Sequence, residues 1–200
     1  ISQGYKMAIF DDGLQDSSIK YDLTIVCFNN LNWIGNGLTI PSGPLREGVN
    51  NLKLYKNVFL NGNEEYLFDI KDQIKKINPK INIYQGKYIP LNIREFNKEH
   101  NYIVFSGIGN HKTFINMLKN NNLKIIDDLE YPDHYKYTKN DVDQIIAKAK
   151  KKDAKILTTE KDYLRLDKSD KTEILFMKST LEIQDEKKFL QTLIDFNEKD

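Results

Sequence analysis

The chain has little of several features that would reveal its class directly. Among its 200 residues there is one cysteine, Cys27, so no disulfide can form within the chain, and we expect a reducing compartment. No apolar run approaches the roughly 18 residues of a membrane span, and no signal peptide is visible. The formal net charge is only +1, so the overall charge gives no argument for nucleic acid as a partner.

Several catalytic motifs are absent as well. The phosphate-binding motif G-x-x-x-x-G-K-[ST] does not occur, because the pair Gly86-Lys87 has Ile81 where the first glycine should stand. Metal-binding cysteine pairs, H-E-x-x-H and G-x-S-x-G are also missing. These 200 residues therefore carry no Walker-type phosphate loop, no zinc site of these types and no serine-hydrolase nucleophile.

The chain does contain an alternation of apolar strands and amphipathic helices. This alternation predicts an α/β protein with mostly parallel sheets. Strands are predicted at 6–10, 22–28, 55–62, the start of 101–121, 123–131, 154–159 and 173–179, with an extended segment at 80–93, and helices at 64–77, the end of 101–121, 138–152 and 186–196. We expect a first domain over 1–79, an extended linker over 80–100, a second α/β domain over 101–182 and a closing helix over 183–200 that can pack back on the first domain.

An acidic pair, Asp11-Asp12, follows the first predicted strand and precedes Gly13. Carboxylates at the end of a parallel strand hold Mg²⁺ in many phosphotransferases, together with substrate phosphates. The alternative is a strand-terminating turn in which Gly13 supplies a positive φ. The tripeptide by itself favours the turn.

A glycine-rich loop, GNGLTIPSGPLRE, occupies residues 35–47. Its glycines, Gly35 and Gly37 on either side of Asn36, let the backbone approach an anion closely, and Arg46 offers a planar, permanently charged group suited to phosphate. Pro44 suits the first turn of a helix. The alternative is an ordinary surface loop that ends in a helix.

The second half of the chain holds two further candidate sites. A Gly-x-Gly sequence within FSGIGNHKTF (105–114) can bind an anion or simply make a tight turn, since the third glycine of the dinucleotide fingerprint is absent. His134, beside Asp133, should lie at a strand end, where it can accept a proton or polarise a carboxylate, although a lone histidine is more often structural. We interpret His100 and His111 as surface or turn residues.

Two threonine–aspartate pairs have the spacing of helix caps. Thr138 and Asp141 precede the helix predicted at 138–152, and Thr159 and Asp162 lie within LTTEKDYLRL (157–166). Capping accounts for these residues but leaves Arg165 without a role.

The order of the motifs is more specific than any one of them. DDGLQ (11–15), GNG…PSGPLRE (35–47), SGIGN…F (106–114), YPDHYKYT (131–138) and LTTEKDYLRL (157–166) follow one another in the chain. In this order they resemble the tetraacyldisaccharide 4′-kinase family, the lipid A kinases of Gram-negative bacteria.

The resemblance implies a specific reaction and fold. Such a kinase transfers the γ-phosphate of ATP, with Mg²⁺, to the 4′-hydroxyl of tetraacyldisaccharide 1-phosphate and forms lipid IVA for lipopolysaccharide. The implied fold is a P-loop NTPase-like parallel α/β sandwich, partly present, plus a smaller α/β domain joined by a β-stranded linker. The implied protein is a monomer at the cytoplasmic face of the bacterial inner membrane, which it contacts peripherally through its N-terminal part, and no nucleic acid is involved.

The resemblance also implies roles for individual residues. Asp11 and Asp12 would hold Mg²⁺ and act in catalysis, and Gln15, in the same motif, would bind substrate or phosphate. Arg46 and Glu47 would face the substrate and phosphate, together with the glycine-rich segment 35–37.

The second domain would supply the remaining group. His134 would cross from that domain to assist the catalytic aspartate, and the motif of Thr159 and Asp162 would have a structural or nucleotide-side role. The chain departs from the family at Leu14, where phenylalanine is usual, at Asp16, where histidine is common, and at His111, where proline is common. These departures bear on local contacts rather than on the reaction.

The family's P-loop, the aspartate paired with its histidine and its membrane-facing helix all precede the acidic motif. The chain begins with Ile1 rather than methionine, and we expect it to be the C-terminal part of the kinase, with poor ATP affinity and no activity alone. Two alternatives stay open: a non-catalytic α/β module that binds a nucleotide or sugar phosphate, with the acidic pair as a turn, and a folding unit without activity.

Overall fold

The computed structural model describes residues 7–62 and 67–197 and divides the chain into two units. The first unit comprises Ile1–Gly86 and Ile183–Asp200, and the second comprises Lys87–Glu182. Each unit contains helices, the described residues form two four-stranded sheets, and every strand pair whose direction is established is parallel. The predicted α/β class with mostly parallel sheets is confirmed.

The described residues form eight strands and five α-helices, with three short 3₁₀ helices between them. The strands are β1 (Val26–Asn29), β2 (Asn57–Asn61), β3 (Asn82–Pro90), β4 (Asn101–Ser106), β5 (Lys124–Glu130), β6 (Ala154–Thr159), β7 (Ile174–Met177) and β8 (Ser179–Gln184). The helices are α1 (Leu67–Ile77), α2 (His111–Asn120), α3 (Lys139–Lys151), α4 (Glu160–Arg165) and α5 (Glu186–Asn197), and the 3₁₀ helices are Val49–Leu54, Ile93–Glu95 and Asp170–Glu173. No helix in these described ranges is long and apolar enough to cross a bilayer.

One sheet has the strand order β1-β2-β3-β8, in which β1, β2 and β3 run parallel. Strands β1 and β2 belong to the first unit, whereas the unit boundaries after Gly86 and Glu182 fall within β3 and β8. Helix α1 buries Leu67, Ile70 and Ile74, whose spacing of three or four residues puts them on one face against β2. On α5, Phe189 packs edge-on against Phe59 of β2 with ring centroids 5.9 Å apart. The carboxyl ends of the parallel strands therefore share one edge of a covered sheet.

The second unit has the strand order β5-β4-β6-β7, entirely parallel. Successive side chains of a strand point to opposite faces, so Tyr102 and Val104 of β4 join the cluster beside α2, whereas Ile103 and Phe105 join the cluster beside α3. The central strand is buried on both sides, as parallel strands require.

Both predicted helix caps are present. Thr138 and Asp141 form a capping box at α3: Thr138 Oγ1 accepts from the Asp141 amide at 3.2 Å, and Asp141 Oδ2 accepts from the Thr138 amide at 2.8 Å. At α4, Thr159 Oγ1 accepts from the Asp162 amide at 3.1 Å. These local interactions satisfy amide groups that have no partner within the helix.

The strand predicted at 6–10 is wrong over its described part. Met7 to Phe10 form no strand, and Ile9 is 89% exposed. A strand needs a neighbour for its backbone hydrogen bonds, and no strand among residues 7–62 and 67–197 pairs with this segment. An apolar run alone does not supply that neighbour.

Two other elements also differ from expectation. No helix starts at Pro44, because the backbone of Leu45 forms hydrogen bonds within the loop instead. The Leu45 carbonyl accepts from the Ile40 amide at 2.8 Å, and the Leu45 amide donates to the Leu38 carbonyl at 3.2 Å. The 3₁₀ helix begins only at Val49. Strand β8 was not predicted, because its residues are mostly exposed at the end of the sheet order and show no continuous apolar run.

The interpretation of His111 as a surface or turn residue is wrong. His111 starts α2 and is only 3% exposed. Its Nδ1 lies 2.7 Å from Ser106 Oγ, and its Nε2 lies 3.0 Å from Asp128 Oδ1. The imidazole therefore links α2 to the ends of β4 and β5. Ser106 is fully buried, so this Ser-His-Asp arrangement is a structural bridge.

We expect His111→Ala to lower the free energy of unfolding by about 1–3 kcal/mol, because the buried Ser106 hydroxyl would lose its partner. Urea unfolding measures this loss. His100→Ala is the control, since His100 is exposed and its removal should change stability by less than about 0.5 kcal/mol. Equal stability of the two variants would contradict the structural role of His111.

Candidate functional site

Two sequence motifs of the first unit meet in the structure. Arg46 Nη2 donates to Asp12 Oδ2 at 2.6 Å, across 34 positions of sequence. Gln15 Nε2 donates to Glu47 Oε1 at 3.0 Å, across 32 positions. The acidic motif and the end of the glycine-rich loop are thus joined by two polar contacts, which bring four of the predicted site residues together.

The turn after Asp11 differs from expectation in its backbone. The residue with positive φ is Asp12, at 59°, whereas Gly13 is not in the left-handed region. The prediction that Gly13 supplies the positive φ is therefore wrong; aspartate tolerates this conformation better than most residues. Gly13 instead allows a close approach, because Tyr21 Oη donates to its carbonyl at 2.7 Å and would lie only 2.8 Å from an added Cβ.

Glu47 is held by three donors. Its Oε1 accepts from Gln15, and its Oε2 accepts from Asn51 Nδ2 and Tyr55 Oη, both at 3.0 Å. The hydrogen bond from Asn51, followed by the one from Gln15, holds the pKa of Glu47 below its ordinary value. The carboxylate is therefore ionised near neutral pH and fixed in orientation. Sequence analysis missed Asn51 and Tyr55, although Asn51 follows Glu47 at the spacing of one helical turn.

The acidic pair offers oxygen ligands that solvent can reach. Asp11 is exposed, and the side chain of Asp12 is 64% exposed. Partial removal of water and then the negative charge of Asp11 raise the pKa of the Cys27 thiol, so Asp11 acts electrostatically on β1. Within 7–62 and 67–197, no group of three or more histidine, cysteine, aspartate or glutamate side chains is arranged to hold a metal ion. The chemistry of the pair fits Mg²⁺, which takes one or two carboxylates and completes its shell with phosphates and water.

The glycine-rich segment 35–37 stabilises its own loop. Gly35 and Gly37 have φ values of 57° and 77°, which favour glycine. Asn36 Nδ2 donates to the carbonyl of Ser42 at 2.8 Å, and its Oδ1 accepts from the Leu38 amide at 3.1 Å. Contact of this segment with a phosphate stays a prediction.

His134 belongs to the second unit. Its amide donates to the carbonyl of Gly107 at 3.1 Å, directly after β4, and its backbone has a φ of 59°. The side chain is 81% exposed. The histidine therefore lies at the carboxyl end of the sheet, where its position in the sequence predicts it.

Arg165, which sequence analysis left without a role, contacts this histidine. Its Nη2 lies 3.1 Å from His134 Nδ1, and its Nη1 donates to the Gly107 carbonyl at 3.0 Å and to Asp162 Oδ1 at 3.1 Å. The side chain of Asp162 is fully buried. The spacing of Asp162 and Arg165, one helical turn, was the only available signal of this pairing.

The family comparison decides the identity. The family model for tetraacyldisaccharide-1-P 4′-kinase matches residues 2–198 of the chain. The chain belongs to the tetraacyldisaccharide 4′-kinase family. The resemblance inferred from the order of the motifs is confirmed.

Individual members of the 4′-kinase family are also similar to the chain in sequence. The chain is 71% identical over 199 residues to the tetraacyldisaccharide 4′-kinase of Pelagibacter ubique. This match covers 100% of this chain and 63% of the Pelagibacter protein. It is 38% identical over 167 residues to the enzyme of the same name from Rickettsia bellii, with 81% of this chain and 49% of that protein covered. The chain thus spans less than two thirds of the length of these relatives.

The fold of the chain also resembles a solved member of the 4′-kinase family. The crystal structure of LpxK from Aquifex aeolicus in complex with ATP superposes with a TM-score of 0.54 at 20% sequence identity. The match covers 92% of this chain and 56% of that one. At this identity the similarity establishes the fold.

Proposed function

We propose that the protein containing this chain transfers the γ-phosphate of ATP to the 4′-hydroxyl of tetraacyldisaccharide 1-phosphate and so forms lipid IVA. The observation that carries the proposal is the meeting of the acidic motif with Arg46 and Glu47 in the first unit. Family membership and the names of the relatives support the same reaction. ATP is the nucleotide named for the structurally similar LpxK of Aquifex aeolicus.

Phosphoryl transfer depends mainly on positioning and on neutralisation of charge. Asp11 and Asp12 are the proposed Mg²⁺ ligands, and the ion, when bound, neutralises charge on the phosphates. Arg46 Nη2 lies 2.6 Å from Asp12 Oδ2. The permanent positive charge of Arg46 is therefore next to the proposed Mg²⁺ ligands, where it can also bind a phosphate oxygen. Glu47 supplies a fixed negative charge that orients Gln15 beside the pair.

The proposed role of the second unit centres on His134. At the carboxyl end of a parallel sheet, an exposed imidazole can donate to and orient a carboxylate that removes the proton from the acceptor hydroxyl. In the family's mechanism this support goes to the catalytic aspartate.

The proposed setting follows from the substrate. An acylated disaccharide is held in a membrane, so we propose that the protein works peripherally at the cytoplasmic face of the bacterial inner membrane, as a monomer. The Gly35–Gly37 segment is proposed to contact the substrate or its phosphate.

An acceptor-dependent kinase assay tests the proposal. The whole protein is incubated with ATP labelled at the γ-phosphate, Mg²⁺ and tetraacyldisaccharide 1-phosphate, and we expect label at the 4′ position of the product. Binding of the disaccharide or ATP without transfer would contradict the kinase proposal and favour a non-catalytic binding module.

A further inference from the structure

The second unit contains an arginine whose contacts have a consequence for the chemistry of His134. We propose that Arg165, anchored by the buried Asp162, is a positioning residue that holds His134 as the tautomer with its proton on Nε2. The functional part of this inference rests on the proposed role of His134 in phosphoryl transfer. The structural part does not, because it concerns only the state of the imidazole.

The first step is the anchor. The carboxylate of Asp162 is fully buried, and a buried carboxylate is tolerated only when it is paired and hydrogen-bonded. Thr159 Oγ1 donates to its Oδ2 at 2.6 Å, and Arg165 Nη1 donates to its Oδ1 at 3.1 Å. Arg165 supplies the positive charge that pairs with this buried carboxylate, and the pairing fixes one end of the guanidinium.

The second step is the fork of the guanidinium. While Nη1 is held by Asp162 and by the Gly107 carbonyl, Nη2 is directed to His134 Nδ1. Only a planar group with several donors can contact Asp162 and His134 at the same time. A lysine here would have a single nitrogen, and the buried carboxylate would attract it.

The third step is the tautomer. A guanidinium is always charged and can only donate, so Nδ1 of His134 must be the acceptor in this contact. A neutral imidazole with a free lone pair on Nδ1 carries its proton on Nε2. On the other side of the ring, Asp133 Oδ2 lies 3.9 Å from Nε2, too far for a hydrogen bond, but its negative charge attracts a proton on that nitrogen. Both sides of the ring favour the same tautomer.

The backbone reinforces this placement. The Gly107 carbonyl accepts from both the His134 amide and the Arg165 guanidinium. One oxygen therefore holds the backbone of His134 and the side chain of Arg165 next to each other. Glycine at position 107 favours this close approach, because an added Cβ would lie 3.0 Å from the Pro132 carbonyl oxygen. The Gly-x-Gly sequence thus serves as the tight turn that places His134.

The consequence is a fixed donor. An exposed histidine would otherwise exchange tautomers and rotamers freely in water. With Arg165 in place, His134 presents its Nε2 proton to a carboxylate or a substrate oxygen. Loss of this arrangement should lower kcat, because a smaller fraction of the enzyme is competent, and should leave KM unchanged.

The experiment compares Arg165→Lys with wild type in the whole protein. Lysine keeps a positive charge for Asp162, so the variant should fold, and circular dichroism checks this. Long-range ¹H–¹⁵N spectra at alkaline pH report which ring nitrogen of His134 is protonated, with assignment from the signals missing in His134→Gln. We expect one tautomer, protonated at Nε2, in wild type and a gain of the other in Arg165→Lys. We also expect kcat to fall about 10-fold with KM unchanged, the size of one lost hydrogen bond.

Lys161→Gln is the matched control, since Lys161 is an exposed basic residue on the same helix and should leave tautomer and kcat unchanged. An unchanged tautomer in Arg165→Lys would overturn the inference. A changed tautomer with unchanged kcat would overturn the positioning role. If His134→Gln itself retained full kcat, the proposed role of His134 would fail while the tautomer result stood, so the two failures are distinguishable.

Discussion

Asp12→Asn in the whole protein should reduce kcat at least ~100-fold, the loss typical when a group that stabilises transition-state charge is removed. The amide keeps the size of the side chain but not the negative charge that a Mg²⁺ ligand needs. Asparagine also tolerates the positive φ of 59° found at this position, so the backbone of the turn should persist. Steady-state kinetics with ATP and the disaccharide acceptor measure the effect.

Asp12→Asn also removes the ion pair with Arg46, so a loss of stability has to be separated from a loss of catalysis. Both side chains are more than half exposed, and an exposed pair contributes little to stability. The melting temperature of Asp12→Asn should therefore stay close to that of wild type. Asp69→Asn, on the exposed face of α1, is the matched control and should retain full activity. An unchanged rate in Asp12→Asn would mean that the acidic pair only makes a turn.

Local patterns predicted the helix caps and most of the strands. The box of Thr138 and Asp141 spans three positions, so the spacing alone specifies its hydrogen bonds. The buried strands β4 and β6 were predictable because both faces of a parallel strand are covered, which produces a continuous apolar run. Where the physical cause is local or periodic, the sequence is sufficient.

Other features depend on contacts that are distant in sequence. Met7 to Phe10 are apolar but have no neighbouring strand in the described structure, and His111 is buried because the fold brings Ser106 and Asp128 to it. The contact of Arg165 with His134 spans 31 positions. No spacing rule predicts such pairs from one sequence. The predicted strand end made His134 a candidate, and the resemblance to a family assigned it a catalytic role.

The candidate site itself was predictable in part. The order of the motifs assigned Asp12 and Arg46 to one reaction, yet it did not indicate that they form a direct ion pair at 2.6 Å. Nor did it indicate that Glu47 is fixed by Asn51 and Tyr55. A motif specifies which residue types a reaction needs, whereas their hydrogen-bond partners come from the surrounding packing.

His134→Ala should reduce kcat by about 10²- to 10⁴-fold, the range typical of a positioned acid–base group, with a much smaller change in KM. The side chain is 81% exposed, so its removal should hardly alter the packing of the second unit. Stopped assays at saturating and limiting acceptor separate the two kinetic constants.

Two further variants sharpen this test. His134→Asn tolerates the φ of 59° and removes the imidazole, so it should lose as much kcat as His134→Ala if the ring, rather than the backbone, is responsible. His100→Ala, at an exposed histidine, should retain wild-type kinetics. A change in KM alone would reassign His134 to substrate binding, because an interaction made equally in the ground state and the transition state alters KM and leaves kcat unchanged.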